Sequence, residues 1–367
     1  MRRFHLIANG LGAGNIGDEL MFRAFWRAAP DSWRFDVPLF PESKRQRAPY
    51  PPEHCYLDVN FDGVEESETP GLLVGTTLVT EAEGTAWPLA FLARRLDHFH
   101  SRGLPVDVVG GGVDRLRRRD ARELFARSFS GIRSWSVRSE ADREALLDLG
   151  VAESAVVTGA DWGWLYEPAI DRDWAARQWR RLGVDPERPL IVANVAHHAN
   201  PARLRGKAEI ARALDGLSRI GFQIAFFSNE ARDAFDAAAA RDTMILMARK
   251  AVLVPNEYYS PDEAISLLAF AQAAVSERYH FTMETVLAGS MPVSVVRGQK
   301  MRTLCAELGL EPAGGIDDPD GGEIARQVEA GRGGAGSLAD RVAALRLRAA
   351  GNLNGLLGAE IRQSRAH

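Results

Sequence analysis

Residues Ala273 to Pro292 read AAVSERYHFTMETVLAGSMP, and the fold turns on how they are read. Ala273-Ala274-Val275-Ser276 is a small apolar run with a β-branched member, the pattern of a short buried strand. Residues 281–288 then carry a helical pattern stopped by Gly289, and residues 292–296 open the next strand. Arg278, Tyr279 and His280 therefore fall where a parallel strand ends and a helix begins. Ligands of open α/β sheets gather at that edge, and the free N–H groups of a helix N-terminus attract anions. An arginine and a protonatable histidine at the positive end of a helix dipole are unfavourable by themselves. They make sense with an anion bound between them. The alternative is that Arg278 pairs with a nearby carboxylate and His280 only caps the helix.

Working outward, the same alternation covers most of the chain. Residues 4–8 read as a strand, followed by a glycine loop at 10–18 and a helix over 19–28. Further strands are expected at 35–39, 71–75, 106–109, 132–137 and 156–158, with one short strand around Tyr56 in an otherwise irregular 41–68. Helices are expected at 87–101, 119–129 and 140–149, the last with Ser139 as N-cap and Asp142 three residues on. The pattern restarts after 167–187: strands at 190–195, 222–227 and 251–254, helices at 207–220, 261–271 and 301–308. A glycine-rich 314–336 holds a helical turn or two at 323–329, and a long helix follows from Ser337 to about Arg362. Strand–helix alternation with glycine or polar residues after each strand describes parallel, doubly wound sheets. The expectation is α/β, with two Rossmann-like domains and a C-terminal helix. Residues 1–166 form the first domain (acceptor side), 167–187 the linker, 188–345 the second domain (donor side) and 346–367 the helix end and tail.

The totals narrow the function. The chain has 367 residues, 46% hydrophobic and 26% charged, which suits two globular domains. A net charge of −4 and a pI near 6.1 give no basic surface for nucleic acid. Cys55 and Cys305 form no framework and favour a reducing compartment. The apolar run 4–8 is too short for a signal peptide and no segment spans a bilayer, so a cytoplasmic location is expected.

Three other features carry chemistry. Gly12, Gly14 and Gly17 match G-x-G-x-x-G between a strand and a helix, and Asp36 follows at the second strand. That is the dinucleotide fingerprint, yet Asp18 and Glu19 open the helix and would repel a pyrophosphate. Asp18 is instead either a helix N-cap or an acceptor for a hydroxyl or proton. Arg138 repeats the placement of Arg278 at a strand end in the other domain, so the two could grip one phosphate or carboxylate. His197 and His198 are adjacent, point apart and make a poor metal pair, and no carboxylate lies at zinc-type spacing. No metal is expected.

With these pieces placed, the chain resembles the polysaccharide pyruvyl transferase family. The resemblance rests on the 12–19 loop (Gly12 to Glu19), Gly110-Gly111-Gly112, Ser136 to Glu140, Leu149-Gly150-Val151, Gly159-Ala160-Asp161, Ser276 to Phe281, Gly289 to Pro292 and Lys300. It departs from the family at Tyr279, where a leucine is usual, and at Ser139, where an acid is usual. The resemblance implies a glycosyltransferase-B-like fold and phosphoenolpyruvate as donor substrate, with no cofactor. A cyclic pyruvate ketal would form on two hydroxyls of a glycan or lipid-linked oligosaccharide, and the lipid-linked form would bring peripheral membrane association. On this reading His280 is the leading acid/base group, Asp18 the second, and Glu284 orients His280. Arg138, Arg278, Tyr279, Gly14, Asn15, Gly17, Gly111, Gly112 and Asp161 would bind substrate. The alternative is a nucleotide-sugar glycosyltransferase of the same fold, since His280, Glu284, Gly289 and Pro292 also resemble its donor segment; an NAD-dependent oxidoreductase ranks after it. The spatial expectation is that Arg138 and Arg278 face one inter-domain cleft lined by the glycine loop, with the C-terminal helix packing back on the first domain.

Overall fold

The computed structural model describes residues 2–7, 10–40, 50–58, 68–82, 84–197, 203–231, 235–331, 338–354 and 356. Expectations for 41–49, 59–67, His198 and the tail after 356 lie outside these residues. The first domain holds strands β1 (Arg2–Leu6), β2 (Trp33–Leu39), β3 (Cys55–Asp58), β4 (Gly71–Val74), β5 (Thr77–Val79), β6 (Val106–Val113), β7 (Ser134–Val137) and β8 (Val156–Thr158). They pair in the order β3-β2-β1-β4-β6-β7-β8, with β5 beside β6, and every pairing is parallel. Its helices are α1 (Ile16–Ala28), α2 (Phe91–Ser101), α3 (Arg119–Ser128) and α4 (Glu140–Asp148). The second sheet is also parallel, in the order β11-β10-β9-β12-β13. It comprises β9 (Leu190–Asn194), β10 (Gln223–Phe226), β11 (Val252–Leu253), β12 (Ala273–Ser276) and β13 (Met291–Ser294). Both strand orders reverse direction at their centre, which opens a crevice at the carboxyl ends of the strands.

The helices that follow are α5 (Arg172–Arg181), α6 (Arg203–Arg219), α7 (Asp236–Leu246), α8 (Pro261–Leu268), α9 (Tyr279–Leu287), α10 (Gln299–Leu308), α11 (Gly321–Ala330) and α12 (Ala339–Ala350). Three differ from the sequence reading. The stretch 167–187 is not a bare linker, because it contains α5. Trp179 of α5 is fully buried and donates to the Leu267 carbonyl of α8 at 3.1 Å. Helix α7 was not expected: its alanine run has no apolar stripe to mark a period. The C-terminal helix is shorter than 337–362, ending at Ala350 and continuing as a tight turn over Gly351–Leu353.

Strands buried on both faces explain the near-continuous apolar runs of the sequence. One outer face of the first sheet packs Ile7, Leu73, Val108 and Trp135 under α2, α3 and α4. The second sheet packs Ile191, Ile224 and Phe226 under its own helices. The third cluster belongs to both domains. It runs from Leu20, Phe25 and Val109 through Trp162 and Trp164 to Phe281, Met283 and Leu345. Trp162 meets Phe25 edge-on at 5.3 Å and donates to the Val109 carbonyl at 3.0 Å. As expected, the chain end returns to the first domain: Arg348 donates to the carbonyls of Gly159 and Arg138 at 2.7 and 3.2 Å. No helix among the described residues is long and apolar enough to cross a membrane.

Asn352 is the anchor of that return. It is buried, donates to the Ala160 carbonyl at 2.8 Å and accepts from the Ser136 hydroxyl at 2.9 Å. Asn352→Ala strands both buried partners, so unfolding free energy should fall by about 1–3 kcal/mol. Urea denaturation measures this; an unchanged midpoint would mean that the two Asn352 hydrogen bonds contribute nothing to the fold.

Candidate functional site

Arg278 occupies the N-cap position of α9, and its backbone N–H donates to the Ser276 hydroxyl at 3.1 Å. Just before it, buried Glu277 ties down the turn by accepting from Ala196 N–H at 2.8 Å and from Arg203. The Arg278 guanidinium forks onto Asp236, with Nη2 at 2.6 Å and Nε at 3.1 and 3.2 Å, and reaches Glu230 at 3.2 Å. The carboxylate-pairing alternative for Arg278 is therefore the one realised. Its charge is already compensated, though its side chain still lines the cleft.

Arg138 leaves the end of β7 and is 4% exposed. Its Nη2 donates to Thr77 Oγ1 at 2.9 Å, its Nη1 lies 3.6 Å from Asp161 Oδ2, and its guanidinium carbon stands 5.0 Å over the Tyr279 ring. Asp161 caps the turn after β8 by accepting from Gly163 N–H at 2.9 Å. Its other oxygen lies 3.5 Å from His280 Nε2, an ion-pair distance longer than a well-formed hydrogen bond. Burial pushes the Asp161 carboxyl up, but His280 and Arg138 outweigh it and hold the group below its usual range. Thus one carboxylate is shared between an arginine of the first domain and the histidine of the second.

Around these groups lies a cavity of 480 Å³ between the domains, lined by Asn15, Asp18, Arg138, Arg278, Tyr279 and His280, among others. The expected facing of the two arginines across one cleft is present. Asp18 is driven up in pKa by burial, an effect opposed by His280 and Lys300. Lys300, at the start of α10, is exposed on the cleft wall, yet its pKa is lowered to about 8, first by desolvation among the protein atoms around it and then by crowding from Arg138, Arg278 and Arg297. A second cavity of 490 Å³ adjoins the first across Arg138, Tyr279 and Lys300.

The glycines do other work than expected. Gly14, Gly17, Gly111 and Gly112 do not line the cavity. A Cβ at Gly17 would overlap the His280 imidazole, and one at Gly112 the Arg138 guanidinium. At Gly111 it would press on Val108 and Leu78 at 2.6 and 2.8 Å, inside the core, and at Gly14 on Ala231 at 2.9 Å. The glycine loop is zipped to the second domain, with Ile16 N–H on the Asn229 carbonyl at 3.1 Å and Ala231 N–H on the Gly14 carbonyl at 2.8 Å. Asn15 lines the cavity, yet its side chain is occupied as the N-cap of α1, accepting from Gly17 and Asp18. Asp36 of the dinucleotide pattern is taken by Arg3 at 2.6 Å. Close approach of the second domain accounts for Gly14 and Gly17, and packing within the first domain for Gly111 and Gly112.

Glu284 does not orient His280; Asp161 holds that position. Glu284 is fully buried one turn along α9, and burial drives its carboxyl up to about 8, tempered by Asn229 beside it. Neither of its oxygens meets a partner of good geometry among the described residues. Sequence reasoning also missed Asp236, Glu230 and Arg297 at this site, and Thr76, a β-branched residue held at φ 52° on the cavity wall. Among the described residues no group of three or more His, Cys, Asp or Glu is placed to hold a metal ion.

No family model matches the chain, and no curated protein matches it. Among solved structures it is similar to UDP-GlcNAc 2-epimerase from Neisseria meningitidis bound to UDP-GlcNAc. That pair has a TM-score of 0.61 at 11% identity, covering 99% of this chain and 100% of that one. A putative UDP-N-acetylglucosamine 2-epimerase from Listeria monocytogenes gives 0.63 at 13%, covering 100% and 97%. Sucrose-phosphate synthase from Thermosynechococcus elongatus gives 0.58 at 12%, covering 100% of both chains. The fold is glycosyltransferase-B-like, as the sequence led one to expect.

Glu284 supplies a test with a definite sign. Its carboxyl keeps its proton in the folded state up to about pH 8, whereas the unfolded chain releases it near 4.5. Folding therefore takes up a proton in this window, and the group's contribution to stability falls as pH rises through it. Glu284→Gln removes the penalty, so the variant's advantage over the parent should be absent near pH 4 and grow towards pH 8. Melting temperatures of both proteins across that range measure it, and a difference independent of pH contradicts the raised pKa.

Proposed function

We propose that the chain is a pyruvyl transferase of glycosyltransferase-B fold, moving the pyruvate unit of phosphoenolpyruvate onto two hydroxyls of a glycan. The observation that carries this reading is the make-up of the second-domain wall. Arg297 and Lys300 project there with no ion-pair partner among the described residues, beside Arg278. Apart from Tyr279, whose ring lies under Arg138, that wall is polar or charged and offers no apolar slot for a base. Such a wall suits a compact anion carrying phosphate and carboxylate.

The chemistry needs a proton for the methylene carbon of phosphoenolpyruvate while an acceptor hydroxyl adds to its central carbon and gives up its own proton. Loss of inorganic phosphate then leaves a cationic carbon, which a second hydroxyl attacks to close the ketal, its proton being taken up by the departing phosphate. His280, backed by the Asp161 carboxylate, is the proton donor in this scheme. Asp18, whose pKa burial raises, takes the hydroxyl proton. Arg297 and Lys300 hold the departing phosphate.

The structural comparisons favour a second reading, a nucleotide-sugar-dependent glycosyltransferase: proteins of the same fold, 10% and 11% identical, are seen with UDP and with UDP-GlcNAc. Thermal shift separates the two. Phosphoenolpyruvate should raise the melting temperature and UDP, GDP and ADP should not; the reverse pattern transfers the assignment to a nucleotide sugar.

Two variants probe the chemistry. His280→Asn should lower turnover on the order of a hundredfold to ten-thousandfold while phosphoenolpyruvate still stabilises the protein, since the cations remain. Near-normal turnover would leave His280 as a phosphate ligand only. The second concerns pH. Lys300 loses its proton through about pH 8, so donor affinity should weaken above that point. Lys300→Arg should remove the decline, because guanidinium stays charged; an identical decline in the variant would place its origin elsewhere.

A further inference from the structure

We infer that the first-domain rim of the cleft is a pyranose-binding shelf built on Trp87, which seats one sugar ring of the acceptor. The acceptor assignment rests on the function proposed above; the shelf itself does not. Trp87 is 47% exposed and is the exposed aromatic among the described residues. Its ring lies 4.9 Å from that of Phe91. Phe91 is in turn covered by Arg95, whose guanidinium carbon stands 4.6 Å from the ring and whose Nη1 donates to the Ile7 carbonyl at 3.1 Å. The indole is thus braced by a phenyl tilted at 48° to it and a tethered guanidinium, an arrangement that holds an open aromatic face in place rather than burying it.

The same cavity receives Thr76, Thr77 and Thr80. Thr76 is held in the left-handed region at φ 52°, with its carbonyl accepting from Gly112 N–H at 2.7 Å and its N–H on Met21 sulfur at 3.2 Å. A β-branched residue in that conformation costs stability and marks a side chain whose placement is needed. Hydroxyls, the Asp18 carboxylate and a bare aromatic face lining one cavity complement a pyranose. Such a ring has a face of C–H bonds, whose partial positive charge meets the negative face of the indole, and a rim of hydroxyls. Arg278, Arg297 and Lys300 line the second-domain wall, whereas the first-domain cations of the cavity are engaged, Arg138 by Thr77 and Asp161 and Arg95 by Phe91 and the Ile7 carbonyl, so the shelf is chemically distinct from the anion site. The two would present sugar hydroxyl and donor to each other across Asp18 and His280.

The test needs no donor. Saturation-transfer NMR is recorded on the full chain with methyl β-galactopyranoside, methyl β-glucopyranoside and, as a base-bearing control, uridine. Transfer to the C–H protons of at least one pyranoside is expected, with affinity about tenfold weaker in Trp87→Ala and largely kept in Trp87→Phe, the loss being that of one aromatic platform. Trp87 is exposed, so both variants should melt like the parent, and phosphoenolpyruvate should stabilise all three proteins alike. Sugars binding equally to parent and Trp87→Ala, no transfer to any pyranoside, or transfer to uridine alone overturns the shelf. If phosphoenolpyruvate stabilises none of the proteins while sugar binding still depends on Trp87, the donor assignment falls and the shelf stands.

Discussion

Asp161 is a buried carboxylate, 1% exposed, approached by the Arg138 guanidinium of its own domain and the His280 imidazole of the other. A charge so far from water is tolerated only while it is paired, and removing one partner from such a pair typically costs about 3–5 kcal/mol. Arg138 pairs with it from the first domain and His280 reaches it from the second, so the carboxylate fixes both side chains relative to each other. The positions around it follow. Gly112 leaves room for the Arg138 guanidinium and Gly17 for the imidazole, and Arg348 fastens the carbonyl beside each end of the arrangement. The proposed chemistry depends on this: a proton donor and an anion clamp are placed before any substrate arrives, which is how a site lowers a barrier electrostatically.

The charge pattern of the cleft is more selective than a count of basic residues suggests. Of its cations, Arg278 is satisfied by Asp236 and Glu230, and Arg138 by Thr77, Asp161 and the Tyr279 face. These two give shape. Lys300 and Arg297 both lose basicity, first by desolvation and then through neighbouring arginines, a loss that Asp114 at the one and Asp236, Glu277 and Glu230 at the other only partly offset. That imbalance, not the arginine pair the sequence advertised, is what an anionic donor would relieve.

The alternation of strand and helix was legible because both sheets are parallel and covered on both faces, so each strand is a compact apolar run ended by glycine or a polar residue. The edge position of Arg138, Arg278, His280 and Asp18 followed from the same reading. What the sequence hid was long-range. Asp236, which neutralises Arg278, lies 42 positions away and opens a helix with no amphipathic stripe. The glycine loop looked like a phosphate cradle because local sequence cannot distinguish backbone kept bare for a ligand from backbone kept bare for another domain. Glu284, one turn from His280, was the natural candidate for its partner by helical spacing. The actual partner comes from a different sheet, where no periodicity points.

The cluster that runs from Phe25 and Trp162 to Phe281 and Leu345 belongs to neither sheet alone. Interfaces between domains of one chain are usually modest and polar enough to permit hinge motion, and chains with two sheets often melt in two stages. Here each half would expose a core face on parting from the other, and the C-terminal segment would come away from the domain it clasps. The chain should therefore show one calorimetric transition, and limited proteolysis should leave no stable half. Opening of the cleft is left to its rims rather than to a swing of whole domains.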